Sequence, residues 1–327
     1  MEKVFILTEG GKNIGFGHIT RCISLYQAFK EKGIIPEFIV NGDNSILNLL
    51  SDKKHQMFNW IKQKGYLFEH IKNADIVIID SYLATKDIYD KISDLVKVPV
   101  YLDDNKRINY PKGIVVNGSI YAEQLDYPQN DGITYLLGTK YTPLRKEFWD
   151  VPEKEIKKEV ESVMVTFGGD DMRNMTPKFL KLLIEEFPEL KKNVIIGKSF
   201  KNVKEIEKLK DNKTKLYYSA NAETMKNIML ESDIVISAAG QTTYELAATM
   251  APTIGIGVAD NQMTNIKGWV ETGFLEFAGW WNSEKIKDNM ISIMKFYKEY
   301  ENRCKKFEIA RDSISRNGAE NIIKVIL

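Results

Sequence analysis

The chain of 327 residues is poor in the groups that build metal centres and disulfide frameworks. It has two cysteines, Cys22 and Cys304, and three histidines. The cysteines lie far apart and without metal-ligand spacing, so two reduced thiols are expected and metal is not. No run of about 18 apolar residues is present, which excludes a helix that inserts across a bilayer. The opening "MEKVFILTEGG" has too short an apolar run and no small-residue cleavage site for a secretory signal, and a cytoplasmic protein is expected. Charge of either sign is not in excess: 46 Lys and Arg stand against 45 Asp and Glu, a net +1. That balance leaves no electrostatic footprint for nucleic acid. Segments such as "KEKG", "KEIKKEVE" and "KEIEKLK" mix the signs, as solvated helix faces do.

What is there is an ordinary globular composition, 43% apolar and 28% charged, in a chain too long for one typical domain. Strand-length apolar runs alternate with helix-length amphipathic stretches. Strands are expected at 3–8, 35–41, 75–80, 98–104, 113–117 and 133–138, and helices at 18–32, 56–73 and 85–96. Continuous Val/Ile/Leu runs suit parallel strands covered on both faces, so the class is α/β. Residues 150–161, "DVPEKEIKKEVE", are polar and charged and read as a junction. The alternation restarts at 161–169, with strands at 193–197, 214–218, 233–237 and 251–257, and a mostly helical tail at 282–326. "NADIVIID" (73–80) and "ESDIVISA" (231–238) share one shape, which argues for two Rossmann-like units, 1–155 and 156–327.

In open α/β sheets, ligands bind at the carboxyl ends of strands near the switch point. The candidates lie there. "TEGGKNIGFGH" (8–18) follows the first strand; its glycines allow positive φ and close approach. It delivers His18 to a helix N-terminus, where the dipole disfavours imidazolium; a general base must be neutral. A packed, capping histidine is the plain alternative. "TFGGDD" (166–171) is a nest of backbone N–H groups or a tight turn. In "SAAGQTTYELAAT" (237–249) a helix starts near Gln241, its free amides suited to a diphosphate. Glu245, one turn in, suits a ribose diol; close packing by Ala and Gly is the alternative. "ADNQ" (259–262) offers Asn261 and Gln262 for sugar or phosphate, or for a helix cap. Asp80, Asp103 and Asp104 end two strands; loop capping or sugar contacts are preferred to a metal pair, since no third ligand completes one. Arg145, near Tyr141, suits a phosphate or a surface ion pair.

Taken in order, "IGFGHITR", "DSY", "LDDN", "GTKYTPLRKEF", "FGGDD", "ISAAGQTTYELA" and "DNQ" resemble the UDP-2,4-diacetamido-2,4,6-trideoxy-β-L-altropyranose hydrolases of pseudaminic acid biosynthesis, with which spore-coat polysaccharide proteins share the pattern. The resemblance runs over about 3–277. It implies a GT-B-like fold, two Rossmann-like domains facing a central cleft, and hydrolysis of a UDP-sugar at its anomeric C–O bond without metal or cofactor. It implies His18 as general base, and Gly15 and Gly17 beside the pyrophosphate. Asp80, Tyr82, Tyr141, Arg145, Asn261 and Gln262 would bind substrate. Gly168, Gly169 and Asp170 would form the nucleotide loop, with Ala239, Gly240, Gln241 and Thr242 at the diphosphate and Glu245 at the ribose. Two places depart: members have Asp-His-Tyr where this chain has Asp80-Ser81-Tyr82, and "GQTTYE" differs from the hydrolase pattern near the diphosphate while keeping its small polar character. A glycosyltransferase serving a surface-glycan acceptor is the main rival. A UDP-sugar 2-epimerase and a non-catalytic nucleotide-sugar-binding subunit are two more.

Overall fold

The computed structural model describes residues 2–12 and 14–327. The chain divides into two compact units, one of Met1–Lys146 with Ser315–Leu327, the other of Glu147–Ile314. Both are built on wholly parallel sheets.

The first unit carries β1 (Val4–Gly10), α1 (Gly17–Glu31), β2 (Glu37–Gly42), α2 (Leu47–Leu50), β3 (His55–Met57), α3 (Lys64–Ile71), β4 (Ile76–Asp80), α4 (Lys86–Leu95), β5 (Val98–Leu102), β6 (Gly113–Asn117) and β7 (Ile133–Leu137). Its sheet runs β3-β2-β1-β4-β5-β6-β7. Every residue of β1 and β4 is buried, which is why their sequences are unbroken apolar runs rather than alternating ones. In α1, Ile19, Cys22, Leu25, Tyr26 and Phe29 are buried, a helical stripe set against the sheet. On the other face Phe5, Leu7, Trp60, Val77, Ile79 and Tyr101 form one core. Each such side chain contributes about 1.5–3 kcal/mol by leaving water.

The second unit carries β8 (Ser162–Thr166), α5 (Met175–Glu186), β9 (Lys191–Ile196), α6 (Val203–Leu209), β10 (Thr214–Tyr218), α7 (Ala222–Glu231), β11 (Ile234–Ala238), α8 (Thr242–Ala248), β12 (Thr253–Gly257), α9 (Met263–Glu271), β13 (Leu275–Trp280), α10 (Ile286–Lys298) and α11 (Tyr300–Ser313). Its sheet runs β10-β9-β8-β11-β12-β13. The last helix, α12 (Gly318–Ile326), lies in the first unit and packs on α1.

The repeated "Asp then buried strand" has a common structural purpose. Asp75 accepts the Lys3 N–H just before β1 at 2.9 Å. Asp233 accepts the Glu161 and Ser162 N–H groups at the start of β8, both at 2.9 Å. In each unit a carboxylate at the foot of one central strand pins the foot of its neighbour.

The sequence reading differs in four places. Residues 56–73 are not one helix: β3 occupies 55–57 and α3 only 64–71. β3 is a short, polar edge strand paired with β2 alone, so it carries no apolar run. β13 is an additional strand without a clear apolar run; Gly279 (φ +127°) and a register shift against β12 at Gly255/Ile256 interrupt its pattern. The units divide at 146/147 rather than 155/156. The charged stretch 150–161 is strapped onto the second unit: buried Lys154 donates to the carbonyls of Met229 (3.0 Å), Leu230 and Ser232 (2.7 Å) at the end of α7. Buried Arg303 donates to the Lys157 and Lys158 carbonyls at 2.7 and 2.8 Å. Finally, α12 belongs to the first unit instead of ending the second.

Neither cysteine is in a disulfide; Cys22 is buried. Among the described residues no helix is long and apolar enough to cross a membrane. Nor does any group of three or more His, Cys, Asp and Glu there suit a metal ion.

Candidate functional site

In the first unit the chain leaves β1 toward β2 and β3, then returns to place β4 on the other side of β1. The carboxyl ends of β1 and β4 therefore flank the switch point, where a crevice opens in such sheets. β1 runs into a tight loop in which Gly11 and Gly15 exchange hydrogen bonds of 3.0 and 2.8 Å. Gly11 (φ +148°) and Gly15 (φ +90°) have the backbone that favours glycine; Gly10 and Gly17 do not use it. α1 then begins at Gly17 without a side-chain cap, and His18 stands in its first turn.

From there His18 reaches Asp80, the last residue of β4. His18 Nδ1 and Asp80 Oδ1 are 2.6 Å apart, and Asp80 is wholly buried. One helical turn on, Arg21 donates through Nε to Asp80 Oδ2 at 2.6 Å and through Nη2 to Oδ1 at 2.5 Å. Its Nη1 donates to Asp104 Oδ1 at 2.6 Å. The Tyr82 hydroxyl donates to the other Asp104 oxygen. The Tyr82 ring meets the His18 ring edge to face, centroids 4.5 Å apart. The array is closed: imidazole, carboxylate, guanidinium, carboxylate and phenol.

Burial by itself would raise the Asp80 carboxyl, but the Arg21 charge, its hydrogen bonds and that from His18 outweigh it and hold the group down at about 2. Burial and then the Asp80 charge push the Cys22 thiol well up. Burial and then Asp104 raise the Tyr82 phenol. A carboxylate that stays ionised and accepts at Nδ1 puts the proton of a neutral imidazole on Nδ1 and leaves a lone pair on Nε2. Such a pair can take a proton at Nε2 and stabilise the imidazolium formed.

Of the sequence candidates in this unit, Gly15, Gly17, His18, Asp80 and Tyr82 come together. Tyr141 and Arg145 follow β7, with β4, β5 and β6 between that strand and β1. Asp103 and Asp104 diverge. Asp103 caps its own loop, accepting from Lys106 N at 2.7 Å, Arg107 N at 3.2 Å and the Tyr127 hydroxyl. Arg21 was missed as a site residue; the signal was a His and an Arg three apart, which share a helix face.

In the second unit β8, β11 and β12 are neighbours, and their carboxyl ends gather the remaining candidates. Gly168 (φ +75°), Gly169 and Asp170 form an exposed turn after β8. Gly197 lets it lie close, since a Cβ there would come within 2.3 Å of the Gly169 carbonyl oxygen. Asp171, not Asp170, caps the following helix, accepting Met175 N at 2.8 Å and Thr176 N at 2.9 Å. After β11, Ala239, Gly240 and Gln241 lead into α8, whose start at Thr242 has no side-chain cap. Glu245 lies one turn in and is partly exposed.

Asn261 is exposed, whereas Gln262 is committed to its own loop: its Oε1 accepts Val258 N at 2.9 Å and Ala259 N at 3.3 Å. Buried Asn265, which the sequence did not single out, holds the turn. Its Nδ2 donates to Ala239 O (3.0 Å) and Thr243 Oγ1 (3.1 Å), and its Oδ1 accepts from the Tyr244 hydroxyl at 2.8 Å.

No family model matches the chain. It is 27% identical over 270 residues to an uncharacterized protein of Methanocaldococcus jannaschii, covering 77% of this chain and 55% of that one. It is 24% identical over 277 residues to the pseudaminic acid cytidylyltransferase and UDP-2,4-diacetamido-2,4,6-trideoxy-β-L-altropyranose hydrolase of Helicobacter pylori, covering 84% and 48%. The chain thus spans about half the length of these two relatives. It is 22% identical over 283 residues to the hydrolase of that same name from Campylobacter jejuni, covering 83% and 97%. Among solved structures, MurG of Acinetobacter baumannii superposes with a TM-score of 0.72 at 13% identity over 99% of both chains. Arabidopsis thaliana UGT89C1 complexed with UDP-L-rhamnose does so with a TM-score of 0.70 at 10% identity, covering 100% of this chain and 98% of that one. The fold is GT-B-like, and the family resemblance carried by the motifs extends over most of the chain.

Proposed function

We propose that the chain hydrolyses a UDP-linked diacetamido-trideoxy sugar at its anomeric C–O bond, releasing UDP and free sugar for nonulosonic acid synthesis of the pseudaminic type. The observation that carries this reading is the His18–Asp80 pair at the β1/β4 switch point. Nε2 of His18 takes a proton from water as its oxygen attacks the anomeric carbon. The bond from that carbon to the β-phosphate oxygen breaks, and its electron pair leaves with UDP. Asp80, kept ionised by Arg21, stabilises the imidazolium. Tyr82 fixes the ring from the side.

In this reading the second unit holds UDP. The start of α8 offers the Gln241 and Thr242 amides and the positive end of the helix to the diphosphate, the Thr243 and Tyr244 amides being turned back to the Gly240 and Gln241 carbonyls. Gly240, Gln241 and Thr242 face it, Glu245 takes the ribose diol, and Gly168–Asp170 form the nucleotide loop. Asn261 binds sugar or phosphate, and Arg145 a phosphate. No step calls on a metal. The names of the Helicobacter and Campylobacter relatives support the substrate.

The test is to mix the protein with this UDP-sugar, a chelator and no acceptor, and to follow free UDP by phosphorus NMR. Prompt release establishes the hydrolase. A GT-B glycosyltransferase is the second reading, favoured by 26% identity to a Clostridium tetani protein named as an N-acetylglucosamine transferase; there UDP release waits on an added acceptor, and His18 deprotonates the acceptor hydroxyl.

A further inference from the structure

Glu9 is the next-to-last residue of β1 and only 1% exposed. An interior strand of a parallel sheet rarely buries a carboxylate unless hydrogen bonds hold it. Here they come from one short segment. Glu9 Oε2 accepts the Ser81 hydroxyl at 2.6 Å, and Oε1 accepts the Tyr82 N–H at 2.7 Å. The Ser81 oxygen in turn accepts Leu83 N at 3.1 Å and Ala84 N at 2.9 Å. A single buried side chain thus gathers the donors of the whole turn that leaves β4.

We infer that Glu9 is a positioning residue that acts through Ser81 and the Tyr82 backbone to set the Tyr82 ring against His18. Glu9 touches no substrate, being buried. Ser81 is 1% exposed as well, so the residue that departs from the Asp-His-Tyr pattern faces inward and belongs to this clamp. The carbonyl side of the turn has separate anchors. Tyr89 donates to Ser81 O at 3.2 Å, and Arg107 to Ala84 O at 3.0 Å. Loss of Glu9 therefore leaves the turn attached while freeing its amide side, and Tyr82 with it.

Glu9→Gln presents an amide donor to the Ser81 hydroxyl, whose oxygen already accepts twice. The readout is the His18 imidazole resonance in proton NMR, identified by its loss in His18→Ala, at matched pH, beside turnover. In Glu9→Gln and in the milder Ser81→Ala that resonance is expected to move toward its position in Tyr82→Ala. Glu9→Gln added to Tyr82→Ala should move it no further. Turnover should fall roughly 10- to 100-fold, as for a displacement near 1 Å, with kcat affected more than KM. A folded Glu9→Gln protein whose His18 resonance stays in place overturns the inference, as do shifts that simply add in the double variant. The inference rests on the hydrolase reading only for its kinetic part. If wild-type protein releases no UDP while the resonance moves, the hydrolase reading fails and the role of Glu9 stands.

Discussion

His18 and Asp80 meet at 2.6 Å from opposite sides of the switch point, one on the first turn of α1 and the other at the last residue of β4. The carboxylate is buried and the imidazole is partly exposed, so one partner belongs to the core and the other reaches the surface. From this arrangement the expected behaviour of the pair follows.

Replacing the base should be costly for chemistry and nearly silent for nucleotide binding. General bases contribute about 10²–10⁴-fold, and His18→Ala is expected to lose turnover by that factor. Calorimetric titration with UDP should give an affinity close to wild type, because no UDP contact is assigned to His18. Wild-type turnover in His18→Ala would falsify the assignment.

Asp80→Asn keeps the shape and removes the charge. It leaves Arg21 facing an amide at a buried position and no longer selects the Nδ1–H tautomer. Breaking a buried pair from one side costs about 3–5 kcal/mol, so the first unit should unfold at visibly lower denaturant. Turnover should drop with it. A variant as stable as wild type would show that Arg21 draws little from Asp80.

The same carboxylate gives a pH signature. It titrates at about 2 in the folded protein and near 4 when unfolded, so the unfolded state binds more protons in this interval. Its stabilisation, about 3 kcal/mol by linkage, is present above pH 4 and is lost as pH falls through about 2. Equilibrium unfolding between pH 5 and 2 should fall more steeply for wild type than for Asp80→Asn. Parallel curves would count against it.

Asn265→Ala removes the side chain that ties Ala239, Thr243 and Tyr244 together. Leaving those groups unsatisfied costs about 1–3 kcal/mol. UDP affinity should weaken on the order of tenfold as the start of α8 loosens, readable by titration. Unchanged affinity would separate that turn from nucleotide binding.

Gly197→Ala tests the other nucleotide loop. The new Cβ would meet the Gly169 carbonyl oxygen at 2.3 Å, and that is backbone, which cannot swing aside. The Gly168–Asp170 turn must move, and weaker UDP binding with an intact first unit is expected. Equal binding would remove this turn from the site.

The apolar strands were legible because parallel sheets covered on both faces leave unbroken Val/Ile/Leu runs, as in β1, β4 and β11. β3 and β13 were not, since edge strands can be short, polar or interrupted by glycine. His18, Asp80 and Tyr82 could be gathered from sequence because each opens a helix, ends a strand or closely follows one at the switch point. Arg21 was legible only as a neighbour of His18 on one helix face, and Glu9 not at all: their roles depend on which way that face turns and on a cross-strand reach of one side chain. Asp103 and Asp104 look alike in sequence, and only the path of the loop separates a cap from a site residue. The charged junction misled for a related reason, because Lys154 and Arg303 are buried against carbonyls that sequence does not display.

The place of α12 bears on the order in which the protein can be completed. Residues 147–314 form an uninterrupted stretch, whereas the first unit waits for residues 315–327 to cover α1. Gly318 lies so close to the Thr142 carbonyl that a Cβ there would come within 2.0 Å, and Ile322, Ile323 and Ile326 are buried. During synthesis, the half that emerges first must therefore wait for its closing segment, while the intervening half already has all of its chain. The nascent imidazole–carboxylate pair is thus assembled on an unfinished platform, which gains its last apolar cover only when translation has passed Ile326.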